Sequence, residues 1–163
     1  MEPTARPLPA APPELRSATP ADAADIARVL CESRAQLLPF LPTLHPSDDV
    51  AAWVGHTLLA RCRVTLAVVA GCVQAVLATT VAADGMGWIE QLYVHPAQVG
   101  RGLGRTLLAQ ALGELPRPVR LYTFQANARA RAFYEAHGFV ACEFSDGQGN
   151  EERCPDVLYE LSA

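Results

Sequence analysis

Two stretches of this 163-residue chain carry residue types that could do chemistry. The first is Gln91-Leu-Tyr-Val-His-Pro-Ala-Gln-Val-Gly-Arg-Gly-Leu-Gly-Arg105. It reads as a strand, Trp88 to Val94, that runs through His95-Pro96 into a loop holding Gly100, Gly102 and Gly104. A helix follows at once, with Leu103, Leu107, Leu108, Ala111, Leu112 and Leu115 on one apolar stripe. A helix packed by that stripe aims its first amides off the strand end. Those amides have no partner inside the helix and together carry about half a positive charge. Glycines let backbone close on an anion with no Cβ in the way, and Arg101 and Arg105 add charge beside it. The natural ligand is a pyrophosphate.

Three readings of that loop stay open. A dinucleotide site needs G-x-G-x-x-G and an acid about twenty residues on. Here the third glycine comes one residue early, and Tyr122 stands where the acid is wanted. A glycine-rich turn can be a turn and nothing more, since such turns are common. The third reading is a cradle for the pyrophosphate of coenzyme A.

The second stretch is Asn127-Ala-Arg-Ala-Arg-Ala-Phe-Tyr134-Glu-Ala-His-Gly138-Phe139. Asn127 can cap a short helix, and Gly138 can end it. Ala130, Phe133, Tyr134 and His137 then share a face. A phenol there can donate a proton, or simply pack with its hydroxyl at the core edge. Glu90 is the candidate base. By strict alternation it shares a face with Trp88, Leu92 and Val94, an apolar setting that favours the protonated carboxyl. A solvated strand acid is the alternative.

Composition narrows the field. The chain is 50% hydrophobic with net charge −4, which fits one domain and argues against a nucleic-acid partner. All 13 basic residues are arginine, so neither a Walker A lysine nor a Schiff-base lysine exists. The cysteines (Cys31, Cys62, Cys72, Cys142, Cys154) are odd in number and lack C-x-x-C spacing, and no secretory signal precedes them. That predicts a reduced, cytoplasmic protein. Val64 to Ala83 is long and uncharged enough to span a bilayer. Gly71, three threonines, Gln74 and many β-branched residues make it two buried strands instead, so no membrane partner is expected.

The elements that must position these residues follow from the same pattern. Residues 1–13 hold five prolines and predict a disordered leader, and 14–163 form the one domain. Leu15 to Ala18 can be a strand, and Thr19-Pro20-Ala21-Asp22 starts a helix that runs to about Leu37. Pro39 to Ser47 is a loop, and Ser47 can cap a second helix with Trp53, Val54 and Leu58 inward. Strands follow at 64–70, 73–81 and 87–94, a helix at 102–115, a strand at 119–124, the capped helix, and strands at 139–144 and 157–161. The order β-α-α-β-β-β-α-β-α-β-β is a mixed α/β domain.

Taken together, the two stretches resemble the GNAT superfamily of acetyl-CoA-dependent N-acetyltransferases. The R/Q-x-x-G-x-G/A pattern of that family falls on Val99-Gly100-Arg101-Gly102-Leu103-Gly104, with Val99 where Gln or Arg is usual. The pattern N-x-x-A-x-x-x-Y-x-x-x-G-F is met by Asn127, Ala130, Tyr134, Gly138 and Phe139. The resemblance implies a mostly antiparallel central sheet flanked by helices, with a splayed parallel pair at 88–94 and 119–124. It implies that acetyl-CoA is the co-substrate and that no metal takes part. Leu92, Tyr93 and Val94 would line the pantetheine arm, and Val99, Gly100, Arg101, Gly102, Leu103, Gly104 and Arg105 would hold the pyrophosphate. Asn127 would contact the arm, and Tyr134 would protonate the departing thiolate. The acceptor would be a small primary amine, with a protein N-terminus or lysine as second choice and a non-catalytic acyl-CoA-binding module as a different class. A homodimer is left open. The loop Ser145 to Asp156 would border the acceptor, and Asp146, Glu151, Glu152 and Asp156 would favour a cation there. Phe40 and His45 would face it from the other side.

Overall fold

The computed structural model describes residues 11–163. Residues 1–10 of the expected leader lie outside the described residues, and 11–13 are exposed and without regular structure. Strand β1, Glu14–Ser17, leads through the turn Pro20–Asp22 into helix α1, Ala23–Leu37. Thr19 starts this segment as its sequence predicts, and the chain adds a lock. The Asp22 carboxylate accepts from the Thr19 amide at 2.7 Å and from the Arg16 guanidinium at 2.8 and 2.9 Å. The Arg16 hydrogen bonds hold that carboxyl well below the ordinary carboxylate range.

The prolines break the chain as expected, and α2 spans Ser47–Trp53. Pro46, not Ser47, takes the cap position. The helix then widens through a π turn, Val54–Leu58, before a last turn α3, Leu59–Arg61. Val54 and Leu58 are buried as predicted, but Trp53 is 40% exposed.

Strands β2, Arg63–Val69, and β3, Cys72–Val81, form a hairpin about Ala70–Gly71. Both turn residues have positive φ, +50° and +79°, the geometry that matches strand twist. The long uncharged stretch is therefore two strands, and no described helix is long and apolar enough to cross a membrane. The rest is β4 (Gly87–Val94), α4 (Leu103–Glu114), β5 (Val119–Phe124), α5 (Ala128–Ala136), β6 (Val140–Phe144) and β7 (Asp156–Leu161). The sheet order is β1-β2-β3-β4-β5-β7-β6, antiparallel everywhere except between β4 and β5. A core of α1 and the Val54–Leu58 turn covers one face, with Ile26, Val29, Val54, Leu66 and Val76 at its centre. On the other face α4 and α5 bury Leu107, Leu108, Val119, Leu121 and Tyr159. Full burial of one such leucine stabilises the fold by about 1.5–3 kcal/mol.

One feature of β4 decides the rest. Gln91 faces Ala78 and Ile89 faces Thr79, so Glu90 is an extra residue without a partner, a β-bulge. A bulge bends its strand and increases the twist. β4 and β5 accordingly pair only at Gly87–Val119 and Trp88–Arg120, then part. The bulge also resets the alternation. Ile89 before it, and Leu92 and Val94 after it, pack on the α4–α5 side, whereas Tyr93 packs on the α1 side. Glu90 does not share the apolar face of Leu92 and Val94. It is exposed, and its carboxylate accepts from the Thr80 hydroxyl at 2.6 Å. This corrects the setting expected from strict alternation.

Candidate active site

The gap between β4 and β5 opens into a cleft of about 740 Å³. Its strand wall is Leu92, Tyr93 and Val94. The His95 amide donates to Gln74 O on β3 at 2.7 Å, and strand polar groups alternate sides, so Leu92 and Val94 turn theirs toward the gap. The Ser33 hydroxyl of α1 donates to Val94 O at 2.8 Å. The edge left to a ligand is therefore the Leu92 peptide groups and the Val94 amide.

At the end of the cleft lies the glycine loop. Arg101 N–H donates to Gln98 O at 3.3 Å, and Thr106 N–H to Gly102 O at 3.0 Å. The amides of Gly100, Gly102, Leu103, Gly104 and Arg105 have no acceptor among the described residues. Gly102 stands at the α4 cap with φ +87°, a left-handed conformation that costs a side-chain-bearing residue roughly 1–2 kcal/mol. A Cβ there would meet no protein atom within 4 Å, because that side of the loop is open. Arg105 and Arg129 line the cleft, and neither is ion-paired among the described residues. An exposed amide nest at a helix start, with free guanidinium groups and no acid on the wall, is built for a polyanion.

Helix α5 forms the opposite wall. Asn127 Oδ1 accepts from the Ala130 amide at 3.1 Å, so the residue is a helix cap and a cleft residue at once. Ala130, Phe133, Tyr134 and His137 all face the cleft, as the helical period predicts. Tyr134 is buried between Phe133 and Phe139, with ring centroids at 5.2 and 5.6 Å. Burial first, and the neighbouring Tyr93 second, push its phenol pKa above the ordinary range. It is a proton donor that holds its proton at neutral pH.

Tyr159 fixes the rotation of α5. Its hydroxyl donates to Glu135 Oε1 at 2.6 Å and accepts from Arg131 Nε at 3.1 Å. Those partners flank Tyr134 on the helix.

A second cleft, about 710 Å³, lies on the α1 side of the sheet. It shares Leu38, Pro39 and Tyr93 with the first, so the two meet at Tyr93. Arg34 of α1 bridges the junction, donating to Tyr93 Oη at 3.4 Å and Glu152 Oε1 at 2.8 Å. Glu151 pairs with His45. Thus Glu151 and Glu152 border this cleft as expected. Asp146 and Asp156 do not: they hold their own loop together through the Gln148 amide and through Ser145 and Asn150.

Of the residues singled out in the sequence, Leu92, Tyr93, Val94, Val99, Gly100, Gly102, Leu103, Gly104, Arg105, Asn127 and Tyr134 line one cleft. Arg101 points elsewhere, and Glu90 reaches neither cleft. Sequence reasoning missed Ser33, Arg129 and Arg34. The first and last sit on α1, far along the chain from either motif, and Arg129 lay inside a motif whose pattern leaves its position free.

Comparison with known proteins now has geometry to rest on. Residues 30–139 match the model of the acetyltransferase (GNAT) family. The chain belongs to the GNAT family. It is an acetyltransferase of that family, and its sheet with one splayed parallel pair is the family's fold. The PaiA N-acetyltransferase of Thermoplasma acidophilum, solved with coenzyme A, superposes with a TM-score of 0.71 at 18% identity, over 93% of this chain and 99% of that one. The ribosomal-protein-S18-alanine N-acetyltransferase of Escherichia coli gives 0.71 at 21%, over 92% and 93%. YncA of Salmonella typhimurium, solved with its cofactor acetyl-CoA, gives 0.71 at 22%, over 93% and 94%. No curated protein matches the chain by sequence.

Proposed function

We propose that this GNAT protein transfers the acetyl group of acetyl-CoA to the amine of a small cationic acceptor. One observation carries the reading: two clefts of opposite character meet at Tyr93. The first has free amides and arginines, which suit the pyrophosphate of coenzyme A. The second is bordered by Asp49, Glu151 and Glu152 against Arg34 and His45, which suits a cation.

Acetyl-CoA supplies the reactive thioester. The chain's own residues do the rest. The amides of Gly100 and of Gly102 to Arg105 hold the diphosphate, with Arg105 and Arg129 beside it, while the Leu92 and Val94 edge takes the arm. An amide on that edge can donate to the carbonyl oxygen as charge builds there. Tyr134 gives its proton to the departing sulfur, and the proton shed by the attacking nitrogen as the amide forms returns, by way of solvent, to the phenol. The amine must arrive neutral, and Arg34 beside Tyr93 disfavours a positive charge at the junction. Glu90 reaches neither cleft and has no part in this mechanism.

The test is thiol release from acetyl-CoA across an amine panel, with Tyr134→Phe as control. Turnover that falls in the variant while coenzyme affinity holds supports an enzyme of this mechanism. Tight coenzyme binding without turnover on any amine would instead make the chain a binding module.

A further inference from the structure

The second cleft says more about the acceptor than its charge. Its acids are largely spent: Glu152 is bound to Arg34 at 2.8 Å, and Glu151 to His45. Asp49 alone among the lining carboxylates has no ion-pair partner among the described residues. One spare carboxylate draws in one ammonium. The reacting nitrogen has to be neutral at Tyr93, so what seats the rest of the acceptor is the lining beyond it, an aliphatic wall. That wall is Leu41, Leu44, Val50 and Trp53. Leu44 and Trp53 are 43% and 40% exposed, so this wall is wet, whereas Leu37 lines the first cleft and Phe40, expected to face the acceptor, lines neither and packs edge-on against Phe124. Apolar surface gathered at one concave place marks a binding site. A cleft of about 710 Å³ holds a small organic molecule comfortably.

Resting on the acceptor reading above, we infer that this cleft takes an amine carried on an apolar body, an alkyl or arylalkyl amine, rather than a hydroxylated amine. The amine nitrogen lies toward Tyr93, where the two clefts join, and the body lies along Trp53 and Leu44. Each methylene buried on that wall is worth about four-fold in affinity.

The experiment compares kcat/KM for hexylamine, phenethylamine and ethanolamine at saturating acetyl-CoA. Hexylamine and phenethylamine should exceed ethanolamine by roughly 10- to 100-fold, the size of a few buried methylenes. Trp53→Ala should shrink that margin. Leu44→Ser, on an exposed loop where misfolding is not a concern, should shrink it less. Turnover with ethanolamine equal to hexylamine would overturn the inference and leave acetyl transfer standing. Margins untouched by both variants would also overturn it. No turnover with any amine, while calorimetry shows coenzyme A bound, would overturn the acceptor reading itself and this inference with it.

Discussion

The two clefts are built from different kinds of sequence. The coenzyme cleft takes most of its polar groups from a strand end, a loop and a helix start that follow one another in the chain, from Leu92 to Arg105, and from α5 between Asn127 and His137, with Ser33 and Gln36 of α1 added. Most of its donors are backbone amides held by regular structure. The acceptor cleft is gathered from α1, the proline loop, α2, two residues of β4 and the tip of the β6–β7 loop. Its polar groups are side chains that reach across chain separations such as Arg34 to Glu152 and His45 to Glu151. A ligand common to a whole family can be met by backbone geometry. A ligand particular to one member is met by side chains on loops, where substitution is tolerated.

That contrast breaks first at Tyr134, which in the proposed mechanism serves the chemistry and not the binding. Tyr134→Phe should lower kcat by about 10²-fold or more, the usual contribution of a positioned acid. Coenzyme affinity should hold, since the ring still packs between Phe133 and Phe139. The sign of the pH effect follows from burial. The phenol acts only while protonated, and its raised pKa keeps it so past the ordinary phenol value of about 10. The wild-type kcat profile should therefore show no alkaline loss from this group below that pH. A loss near neutrality that vanishes in the variant would give Tyr134 a different environment.

Gly102→Val tests the amide nest. The new Cβ meets no protein atom, so the fold bears only the strain of φ +87°. It would project into the open space on that side of the loop. Coenzyme A affinity should fall roughly 10- to 100-fold by calorimetry, the loss of one or two charge-assisted hydrogen bonds. Unchanged affinity would mean the ligand's phosphates lie elsewhere.

Much of the coenzyme cleft was legible in the sequence for this reason. A glycine spacing, a helix cap and a face of Ala130, Phe133, Tyr134 and His137 are short-range patterns, and short-range geometry follows from them. The hairpin at Ala70–Gly71 and the strand order around it were legible on the same terms. What escaped was non-local or off-period. Arg34 carries no signal along the chain of its contact with Glu152. The π turn at Val54–Leu58 and the bulge at Glu90 each add a residue to a regular repeat, and a periodic reading assumes there is none. The polar doublet Glu90-Gln91 inside an apolar strand was the available sign, since two successive residues of a regular strand point to opposite faces and one of the pair would turn into a packed layer.

The acceptor side predicts a smaller and separable effect. Glu152→Gln removes the partner of Arg34 at 2.8 Å and adds a net positive charge at the cleft. The acceptor KM should rise about ten-fold, within the range of a lost charge-assisted contact, and the rise should shrink at high salt. Coenzyme affinity should not follow, because Glu152 does not line the first cleft. If coenzyme affinity fell equally, the two clefts would be one energetic unit and the division drawn between them would fail.

The smallest effect belongs to Glu90. Its side chain lies outside both clefts and hydrogen-bonds Thr80, so Glu90→Gln keeps an acceptor for that hydroxyl. kcat and its pH profile should change by less than about two-fold, as for surface substitutions away from packed or charged networks. The bulge itself should matter far more than the charge on it. The extra residue swings β4 away from β5 after Trp88 and opens the gap for the coenzyme arm. Deleting Glu90 would restore the ladder with Leu92 still on the face of Ile89, remove the bend and close the gap, so coenzyme binding should be lost while the Gln variant keeps it. A Gln variant that loses its acid limb, with the deletion still binding coenzyme, would return Glu90 to the mechanism and leave the gap without its cause.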